Sequence, residues 1–587
     1  MTSLARISLA LAFAGGVVDG ATMSHRAGAE QRAPAIERIS HRTIAFQTYQ
    51  LVELRIALQA TYHNPFDPAQ IDLYAIFRSP LGRAYRVNGF YYHRYALIKG
   101  ADGALPVRPV GGPEWRVRFA SPTPGVWTYR VFVRDASRRT TSSSMGSPFH
   151  VVKGPSPGYV RISRYDRHYF AFDNGASYFP VGENLAFWYH GISDYRRWLA
   201  QPGSLRNTGI NLIRIWMAPD KDSVDYAYPL GNYGADLPYA WALDRILRWA
   251  ARDNIHVILT LALHATLQYR TDWLWDWSKN PYNRARGGPA ANPCDFFTNS
   301  AAIAMFERNL RYVVARWGYS TSIFAWELFN EVDLVKGYKG CREGVVRWHQ
   351  IMIDDLHELD PASHLITTSF AHMPGDRQVW SLGGMNIVQS DHYSPDIAGY
   401  VTRDLRALRA YDKPDFMGEY GPWTVLPASI RDKRGWYIHL AEWASLFAGG
   451  AGSGLNWFWE DYVQRFQTYW VYRALPRFLA GIRLDRQEFR PIRPVIHVMS
   501  GEGRVRVSMM RGRTLSLLWV QRLGSYRPGG RLTLAARGGA PIRIQWWSTV
   551  SGTPIRSVAV RPRHGRLVMR LPGGAGDYAA KLWGSSA

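Results

Sequence analysis

The feature that most constrains this fold is a regular alternation of apolar strand-like runs and amphipathic helical runs between about residues 160 and 490. The helical run 239–253 precedes the apolar run 255–264, and 301–317 precedes 323–331 in the same way. Strands that alternate with helices pair in parallel, and eight such strands close into a barrel. The sequence therefore predicts an α/β fold, a (β/α)8 barrel with strands near Phe179, Ile210, Ile255, Ile323, Leu365, Met385, Pro414 and Gly452.

Both flanks of this region have the pattern of β structure. Short alternating runs such as 51–60 and 127–133 are separated by Pro, Gly and Asn turns, which is typical of an antiparallel β-sandwich. The segment 154–158, Gly-Pro-Ser-Pro-Gly, predicts a linker, and alternating runs with Gly-rich turns return after residue 492. We predict an N-terminal β-sandwich at 41–153, the barrel at 160–490 and a small C-terminal β-sandwich-like domain at 492–587, a division that suits a chain of 587 residues.

Two carboxylates follow apolar runs within the predicted barrel. Glu331 ends Ser-Ile-Phe-Ala-Trp-Glu-Leu-Phe-Asn-Glu (322–331), and Glu419 lies in Pro-Asp-Phe-Met-Gly-Glu-Tyr-Gly (414–421). Barrel strands present their last side chains at the carboxyl-end face, where active sites of this fold are built. Cleavage of a glycosidic bond needs two carboxyl groups on either side of one sugar ring. The pair therefore indicates glycoside hydrolysis.

The barrel resembles the clan A glycoside hydrolases, which include cellulases and mannanases. Trp-Glu-Leu-Phe-Asn-Glu on the fourth strand is similar to the Asn-Glu acid/base motif of that clan, and Gly-Glu-Tyr-Gly on the seventh is similar to its nucleophile motif. The resemblance implies that Glu331 is the general acid and then base, and that Glu419 is the nucleophile. It implies a retaining mechanism, in which the two carboxyl groups lie roughly 5 Å apart, whereas an inverting mechanism needs a wider gap.

Three polar residues accompany the pair. Arg214, in Asn-Leu-Ile-Arg-Ile-Trp, matches an arginine of the clan and is expected to keep Glu419 ionised, although a structural ion pair in the barrel is the alternative. Asn330 is expected to bond the sugar 2-hydroxyl, with a capping role as its alternative. Glu327 comes four residues before Glu331, on the same strand face but about two layers deeper, so we expect it in a buried ion pair.

Further site residues follow from the same resemblance. His264 ends the third strand and matches a position that lines the sugar site in the clan. His392 and Tyr393 end the sixth strand, where the clan often has a His and a Tyr two residues apart. Here they are adjacent, so strand alternation directs only one of them inward unless a bulge intervenes. Both stay candidates, and Tyr393 is preferred as the hydroxyl partner of Glu419.

Tryptophans are the candidate sugar platforms. Trp457 and Trp459 on the eighth strand are expected on one face, where the clan usually has a Trp beneath the cleaved sugar, and packing in the barrel core is the alternative. Trp273, Trp275 and Trp277 share one loop after the third strand. They would either cover a flat ligand or pack a lid onto the barrel.

The N-terminus and the cysteines bear on the compartment. Arg6 and the apolar stretch 7–18 predict a signal peptide at 1–21, against the alternative of a frayed apolar terminus, and hence a periplasmic or secreted protein. No later stretch predicts a transmembrane span. Cys294 and Cys341 are the two cysteines, and both follow predicted strands at the rim of the barrel. A disulfide between them and two unpaired thiols both remain open.

Charge and missing motifs limit the partners. The formal charge is +25, but the basic residues are dispersed and no nucleic-acid motif is present, so we expect no nucleic-acid partner. The sequence lacks His-Glu-x-x-His, a phosphate-binding glycine loop and a Gly-x-Ser-x-Gly elbow, and we expect no metal and no cofactor. The expected substrate is a β-linked polysaccharide or oligosaccharide, neutral or acidic. A transglycosylase, and a non-catalytic glycan-binding or polysaccharide-assembly protein on the same scaffold, remain as alternatives; the oligomeric state stays open.

Overall fold

The computed structural model describes most of the chain between residues 33 and 584. The gaps are 99–106, 144–145, 187–204, 206, 220–222, 270–274, 428–429, 493–495, 499–504, 524–529, 537 and 574–575. The predicted signal peptide at 1–21 and Trp273 lie outside the described residues. The division into folding units at 41–153, 160–490 and 492–587 stays a prediction.

The central region is the predicted barrel of eight parallel strands. They are β1 Gly182–Asn184, β2 Leu212–Trp216, β3 His256–Thr260, β4 Ile323–Glu327, β5 Leu365–Thr367, β6 Val388–Tyr393, β7 Asp415–Gly421 and β8 Leu455–Asn456. The sheet runs in the order β5-β4-β3-β2-β1-β8-β7-β6. Backbone bonds from Asn386 N to Ile366 O (2.9 Å) and from Asp391 N to Phe370 O (3.0 Å) join its two ends. The predicted fold class is confirmed, with strands displaced by a few residues.

Amphipathic helices cover the outside of the barrel. The long ones in the described ranges are α1 Leu237–Arg252, α2 Ser300–Trp317, α3 Tyr338–Leu359, α4 Ile397–Leu408, α5 Trp436–Ala448 and α6 Val471–Leu479. Asn299 begins α2 because its side chain accepts hydrogen bonds from the backbone N–H groups of residues 301 and 302. Buried Phe306, Leu310 and Val313 then form the stripe that packs inward. No helix within the described residues combines the length and apolar content that a bilayer crossing requires.

A small sheet closes the amino end of the barrel. Its strands are Val160–Ile162, Phe170–Phe172 and Ser177–Tyr178. Phe170 packs edge-on against Phe324 at the start of β4, with ring centroids 5.0 Å apart, and Phe416 at the start of β7 belongs to the same buried cluster. The small sheet thus covers the amino end of the barrel, and we expect a site at the carboxyl end.

The N-terminal region forms two packed sheets that are antiparallel except for one parallel pair, Ala45–Gln47 with Phe149–Val152. One contains Ala35–Ser40, Leu51–Gln59, Glu114–Ala120 and Phe90–Tyr92; the other contains Ala45–Gln47, Phe149–Val152, Gly125–Asp135, Ile71–Arg78 and Ala84–Asn88. Phe77 and Phe119 stack across them at 4.5 Å. Arg118 of this sandwich bonds Asp244 of α1 at 2.7 Å, and Arg316 of α2 bonds the same carboxylate at 2.8 Å. This buried salt-bridge network fastens the sandwich to the barrel helices.

The C-terminal region forms a six-stranded and a three-stranded sheet. The larger contains Arg490–Ile492, Val505–Arg511, Leu515–Arg522, Tyr578–Trp583, Ile542–Ser548 and Pro554–Val560, and the smaller contains Ile496–Val498, Arg531–Ala535 and Arg566–Arg570. Trp519 packs on Phe447 of α5 with ring centroids 6.0 Å apart, and Trp547 contacts Phe478 of α6 at 5.7 Å. These aromatic contacts attach the sheets to the barrel helices.

Cys294 and Cys341 form a disulfide. Cys294 lies shortly before α2 and Cys341 near the start of α3, so the bond ties the connection between β3 and α2 to the first turns of α3. Of the two states left open by the sequence, the structure contains the paired one.

Candidate active site

Glu331 and Glu419 lie at the carboxyl end of the barrel. Glu419 is part of β7, whereas Glu331 comes four residues after the last residue of β4. A β-bridge between Leu263 and Asn330 continues the strand pairing past the end of β4 and holds Glu331 at the barrel mouth. The two side chains are largely buried, with 8% of Glu331 and 4% of Glu419 exposed. Both carboxyl groups thus occupy a region with little water.

Glu331 has an unusual backbone conformation. Its φ is 47° and its ψ is 53°, which is the left-handed region, just before the short helix Val332–Leu334. Such a conformation is costly for a residue with a side chain and concentrates at functional sites. The backbone N–H of Glu331 donates to the hydroxyl of Ser369 at 2.9 Å, which anchors this turn. Strand alternation therefore does not set the direction of the Glu331 side chain.

Arg214 on β2 connects the polar groups of the site. Its guanidinium donates to both oxygens of Glu327, at 2.6 and 2.7 Å, and to Glu419 Oε2 at 3.1 Å. It also donates to the side-chain oxygens of Asn184 and Asn330. Arg214, Glu327 and Asn330 have no exposed surface, so these charge-assisted bonds form away from water and are strong. Both roles considered for Arg214 are therefore present: a structural ion pair with Glu327 and a contact with Glu419.

Glu419 has two partners that favour its charged form. Arg214 contacts one carboxylate oxygen, and the hydroxyl of Tyr393 donates to the other in a short hydrogen bond. Burial raises the pKa of Glu419, while Arg214 and Tyr393 act in the opposite direction. This environment is suited to an ionised carboxylate whose two oxygens are fixed in orientation.

Glu331 has a different environment. Burial, followed by the charge of Glu419, raises the pKa of Glu331 well above its usual range. Asn330 Nδ2 lies 3.5 Å from Glu331 Oε2, and His264 Nδ1 lies 3.4 Å from the same oxygen. Burial lowers the pKa of His264 to about 4, so its ring is neutral at neutral pH and its Nδ1 accepts a hydrogen bond from Asn330 Nδ2 at 2.9 Å. Because neither Asn330 nor the neutral ring of His264 brings a positive charge to Glu331, this carboxyl group is suited to hold a proton.

The two glutamates thus differ in the way that acid/base chemistry requires. Burial raises the pKa of both carboxyl groups, but it raises the pKa of Glu331 well above its usual range, whereas Arg214 and Tyr393 oppose the rise at Glu419. Pairs of titratable groups whose environments separate their pKa values indicate an acid and a base or nucleophile. The arrangement can therefore protonate a leaving oxygen and deliver a negative oxygen to the same reacting centre.

The adjacent His392 and Tyr393 point in different directions. Tyr393 turns inward to Glu419, whereas His392 turns outward and its Nδ1 lies 2.9 Å from Asp404 of α4. The ring of His392 packs against Tyr400 of the same helix. This division agrees with strand alternation, and the structure brings His392 to the outside of the barrel rather than to the sugar site.

The candidate tryptophans divide in a similar way. Trp457 is partly buried and packs against Trp216 of β2 with ring centroids 4.9 Å apart, next to Arg214. Trp459 is only 2% exposed, begins a π-helical turn after β8 and belongs to the main core. In the loop after β3, Trp275 and Trp277 are also buried, which agrees with a lid packed on the barrel. Trp457 is thus placed beside the site, and Trp459 packs in the core.

Several polar residues of the site were not identified from sequence. Ser369 bonds the Glu331 backbone, Asn184 bonds Arg214, and the Thr260 hydroxyl donates to Glu327 at 2.6 Å. Asp391 of β6 is 1% exposed next to Glu419, and burial followed by the charge of Glu419 raises its pKa well above the usual range. Each of these residues lies at or near the carboxyl end of a barrel strand, and a polar residue in that place is the signal in the sequence that could have revealed them.

Comparison with known proteins finds relatives among mannan endo-1,4-beta-mannosidases. The chain is 24% identical to mannan endo-1,4-beta-mannosidase A of Podospora anserina over 51% of this chain and 83% of that protein. It is also 24% identical to the enzyme of the same name from Hypocrea jecorina, over 54% of this chain and 77% of that protein. Residues 45–134 match a family model described as a domain of unknown function, DUF5060.

A solved structure shares the whole architecture. A Bacteroides vulgatus protein provisionally described as a glycoside hydrolase aligns with a TM-score of 0.64 and 16% identity, over 92% of this chain and 100% of that one. At this identity the likeness concerns the fold. The two sequence relatives, together with this shared fold, define the class of the protein: the chain is a glycoside hydrolase of the clan A type, with a (β/α)8 barrel that follows a β-rich N-terminal region.

Proposed function

We propose that the chain is an exported, retaining glycoside hydrolase that cleaves β-1,4-linked mannan. The observation that carries the mechanism is the contrast between two environments: burial and the charge of Glu419 raise the pKa of Glu331, whereas Arg214 and Tyr393 each contact one oxygen of Glu419 and favour its ionised form. The mannan substrate is supported by the relatives from Podospora anserina and Hypocrea jecorina, both of which are named mannan endo-1,4-beta-mannosidase A.

The proposed reaction has two displacements at one sugar carbon. In the first, a Glu419 oxygen attacks the anomeric carbon while Glu331 gives its proton to the departing oxygen, so that a glycosyl ester forms and the glycosidic bond breaks. In the second, Glu331, now a carboxylate, takes a proton from water, whose oxygen attacks the same carbon and releases Glu419. Asn330, held by Arg214, is placed to bond the sugar 2-hydroxyl. Trp457 supplies an apolar surface for the sugar ring.

Residue substitution and product analysis test this function. Glu419→Ala is expected to abolish hydrolysis of galactomannan while the circular dichroism spectrum stays unchanged, because the nucleophile is lost and the fold is not. Glu358→Ala is the matched control, since that carboxylate is exposed on α3. NMR of the first products is expected to show retained anomeric configuration. Activity of the Glu419 variant, or inverted products, would contradict the mechanism.

A panel of polysaccharides tests the mannan assignment independently of the two-glutamate mechanism. Galactomannan and glucomannan should be hydrolysed faster than carboxymethyl cellulose or galactan, and a reverse order would overturn the mannan assignment while leaving the two-glutamate mechanism intact. Added mannooligosaccharide acceptors distinguish hydrolysis from transglycosylation, because a transglycosylase yields products longer than the donor. Both reactions use the same glycosyl ester.

The proposed export is supported by two features of the chain. Residues 1–21 have the composition of a signal peptide, and the Cys294–Cys341 disulfide is of the kind that persists in oxidising compartments. N-terminal sequencing of the protein recovered from the periplasm or medium tests the proposal. A mature N-terminus near residue 22 is expected, and an intact Met1 in the cytoplasmic fraction would refute it.

A further inference from the structure

A large groove lies at the amino end of the barrel, away from the carboxylate pair. It has a volume of about 850 Å³. It is lined by the turn 163–168 within the small closing sheet, by residues that follow or end α4, and by 488–491 at the entry to the C-terminal sheets. Residues 406–412 come before β7, and the turn 163–168 lies in the small sheet that closes the amino end of the barrel. Glu331 and Glu419, in contrast, are at the carboxyl ends of strands. The groove is thus separate from the site of chemistry.

The groove has an excess of positive charge. Five arginines and three carboxylates line it, and one histidine lies among them. The arginines are Arg164, Arg167, Arg406, Arg409 and Arg490. They come from three parts of the chain that are distant in sequence, so the charge concentration is a property of the fold and not of one basic run. An excess of positive charge in a concave surface strengthens the local electric field and attracts anions.

Two of the three carboxylates already have partners. Arg167 bonds Asp412 at 2.8 Å, and His168 lies between Asp166 (2.9 Å) and Asp412 (3.1 Å). Arg409 donates to the backbone oxygen of Gly449 at 2.8 Å, which fixes its position. The negative charge of the groove is therefore largely neutralised from within.

Three exposed arginines remain available to a ligand. Arg164, Arg406 and Arg490 form no salt bridge with any carboxylate in the described part of the chain. Glu488 is the remaining lining carboxylate, and even when it is ionised the positive charges are in excess. Arg486 adds a further guanidinium at the edge, where it lies over the ring of the half-exposed Tyr165. A guanidinium presents a planar pair of N–H donors that matches a carboxylate.

We propose that this groove binds a carboxylated glycan, a segment of polysaccharide that contains uronate residues. A glycoside hydrolase meets polymers of sugars, and the carboxylate of a uronate is the anionic group such polymers carry at intervals. Three guanidiniums without internal partners would each pair with a uronate carboxylate, while the sugar hydroxyls bond the polar groups of the turn 163–168. The groove would hold the enzyme on an acidic polysaccharide while the opposite end of the barrel performs hydrolysis.

Calorimetric binding of hexagalacturonate to the full chain tests this proposal. Binding is expected to weaken several-fold when NaCl is raised from about 50 mM to about 300 mM, because salt screens exposed charges. Mannohexaose, applied to the Glu419→Ala variant, serves as the neutral probe and should not compete. The double variant Arg406→Gln/Arg490→Gln should weaken hexagalacturonate binding by about tenfold, since it removes two charge-assisted contacts.

A matched variant makes the test independent of total charge. Arg531→Gln/Arg566→Gln removes two exposed arginines from the C-terminal sheets and should leave the affinity within about twofold. No binding of hexagalacturonate, or equal losses in the two double variants, would overturn the proposal. Equal affinity for a short DNA duplex would replace it with unspecific polyanion binding. Galactomannan hydrolysis by both double variants should match the parent, so failure of the mannan assignment and failure of the groove proposal are distinguishable.

Discussion

Arg214→Met removes the cation that connects the polar groups of the active site. The parent guanidinium has no exposed surface and bonds Glu327 through two contacts and Glu419 through one. Loss of one partner from a buried ion pair costs about 3–5 kcal/mol, because it leaves an uncompensated charge. We expect the free energy of unfolding at neutral pH to fall by about that amount, as measured by urea denaturation.

The pH dependence of the same variant has a defined sign. Without Arg214, the pKa of folded Glu419 rises further above that of the unfolded chain. A carboxyl with a raised folded pKa causes no penalty below its unfolded pKa, and the penalty develops as pH rises through the folded pKa. The stability deficit should therefore be largest at neutral pH and shrink in acid. The acid limb of kcat/KM, which requires ionised Glu419, should move to higher pH.

Arg316→Met is the control for this prediction. Arg316 is equally buried and bonds Asp244, a carboxylate that also has Arg118 as a partner, far from the catalytic pair. This variant should lose stability but keep the acid limb of the parent enzyme. If Arg214→Met retained both the parent stability and the parent pH profile, the proposed electrostatic role of Arg214 would be wrong.

Three other predictions concern Glu331, Tyr393 and the disulfide. Glu331→Gln should slow the hydrolysis of substrates with poor leaving groups by about 10²–10⁴-fold. It should also remove the alkaline limb of the pH profile, because protonated Glu331 is the form that donates. Equal effects on aryl glycosides with good leaving groups would speak against an acid role. Tyr393→Phe should lower kcat more than it changes KM and shift the acid limb upward, since the phenol favours ionised Glu419; an unchanged limb would contradict this. Cys294→Ser/Cys341→Ser should lower the free energy of unfolding by about 4 kcal/mol, which is the loop-closure entropy expected for a sequence separation of 47. Thermal unfolding of the parent and the variant, with and without reductant, checks this value.

The barrel could be predicted because its periodic pattern is repeated along the chain. The predicted helix 301–317 corresponds to Ser300–Trp317, and the predicted strand near Ile323 corresponds to Ile323–Glu327. Short strands were placed less accurately. The strand expected near Gly452 is Leu455–Asn456, because two residues of pairing give no periodicity to detect.

The site was predictable where the residues follow strand geometry. The structure places Arg214, Asn330 and Glu419 in one hydrogen-bonded group, and strand alternation also accounts for the inward Tyr393 and the outward His392. The choice between the last two required the actual register, which shifts between residues 390 and 391 where β6 pairs with β7. Sequence alternation does not reveal such a shift.

Other features depend on local backbone conformation or on burial. Glu331 leaves the strand and adopts a left-handed conformation, and Trp459 enters a π-helical turn directly after β8. Neither event has a glycine or proline signal in the sequence. Asp391 is a carboxyl held in the interior beside the nucleophile, and its burial is set by neighbours that come from other strands. These positions needed the three-dimensional structure.

The central claim is that Glu419 forms a bond with the sugar while Glu331 handles the proton. The direct measurement is mass spectrometry of the enzyme after reaction with an activated 2-deoxy-2-fluoro glycoside of the sugar that the polysaccharide panel identifies. Two-step displacement predicts an adduct of one fluorosugar on the peptide that contains Glu419, with loss of activity in proportion. Continued turnover of the probe without an adduct, or an adduct on Glu331, would contradict the account.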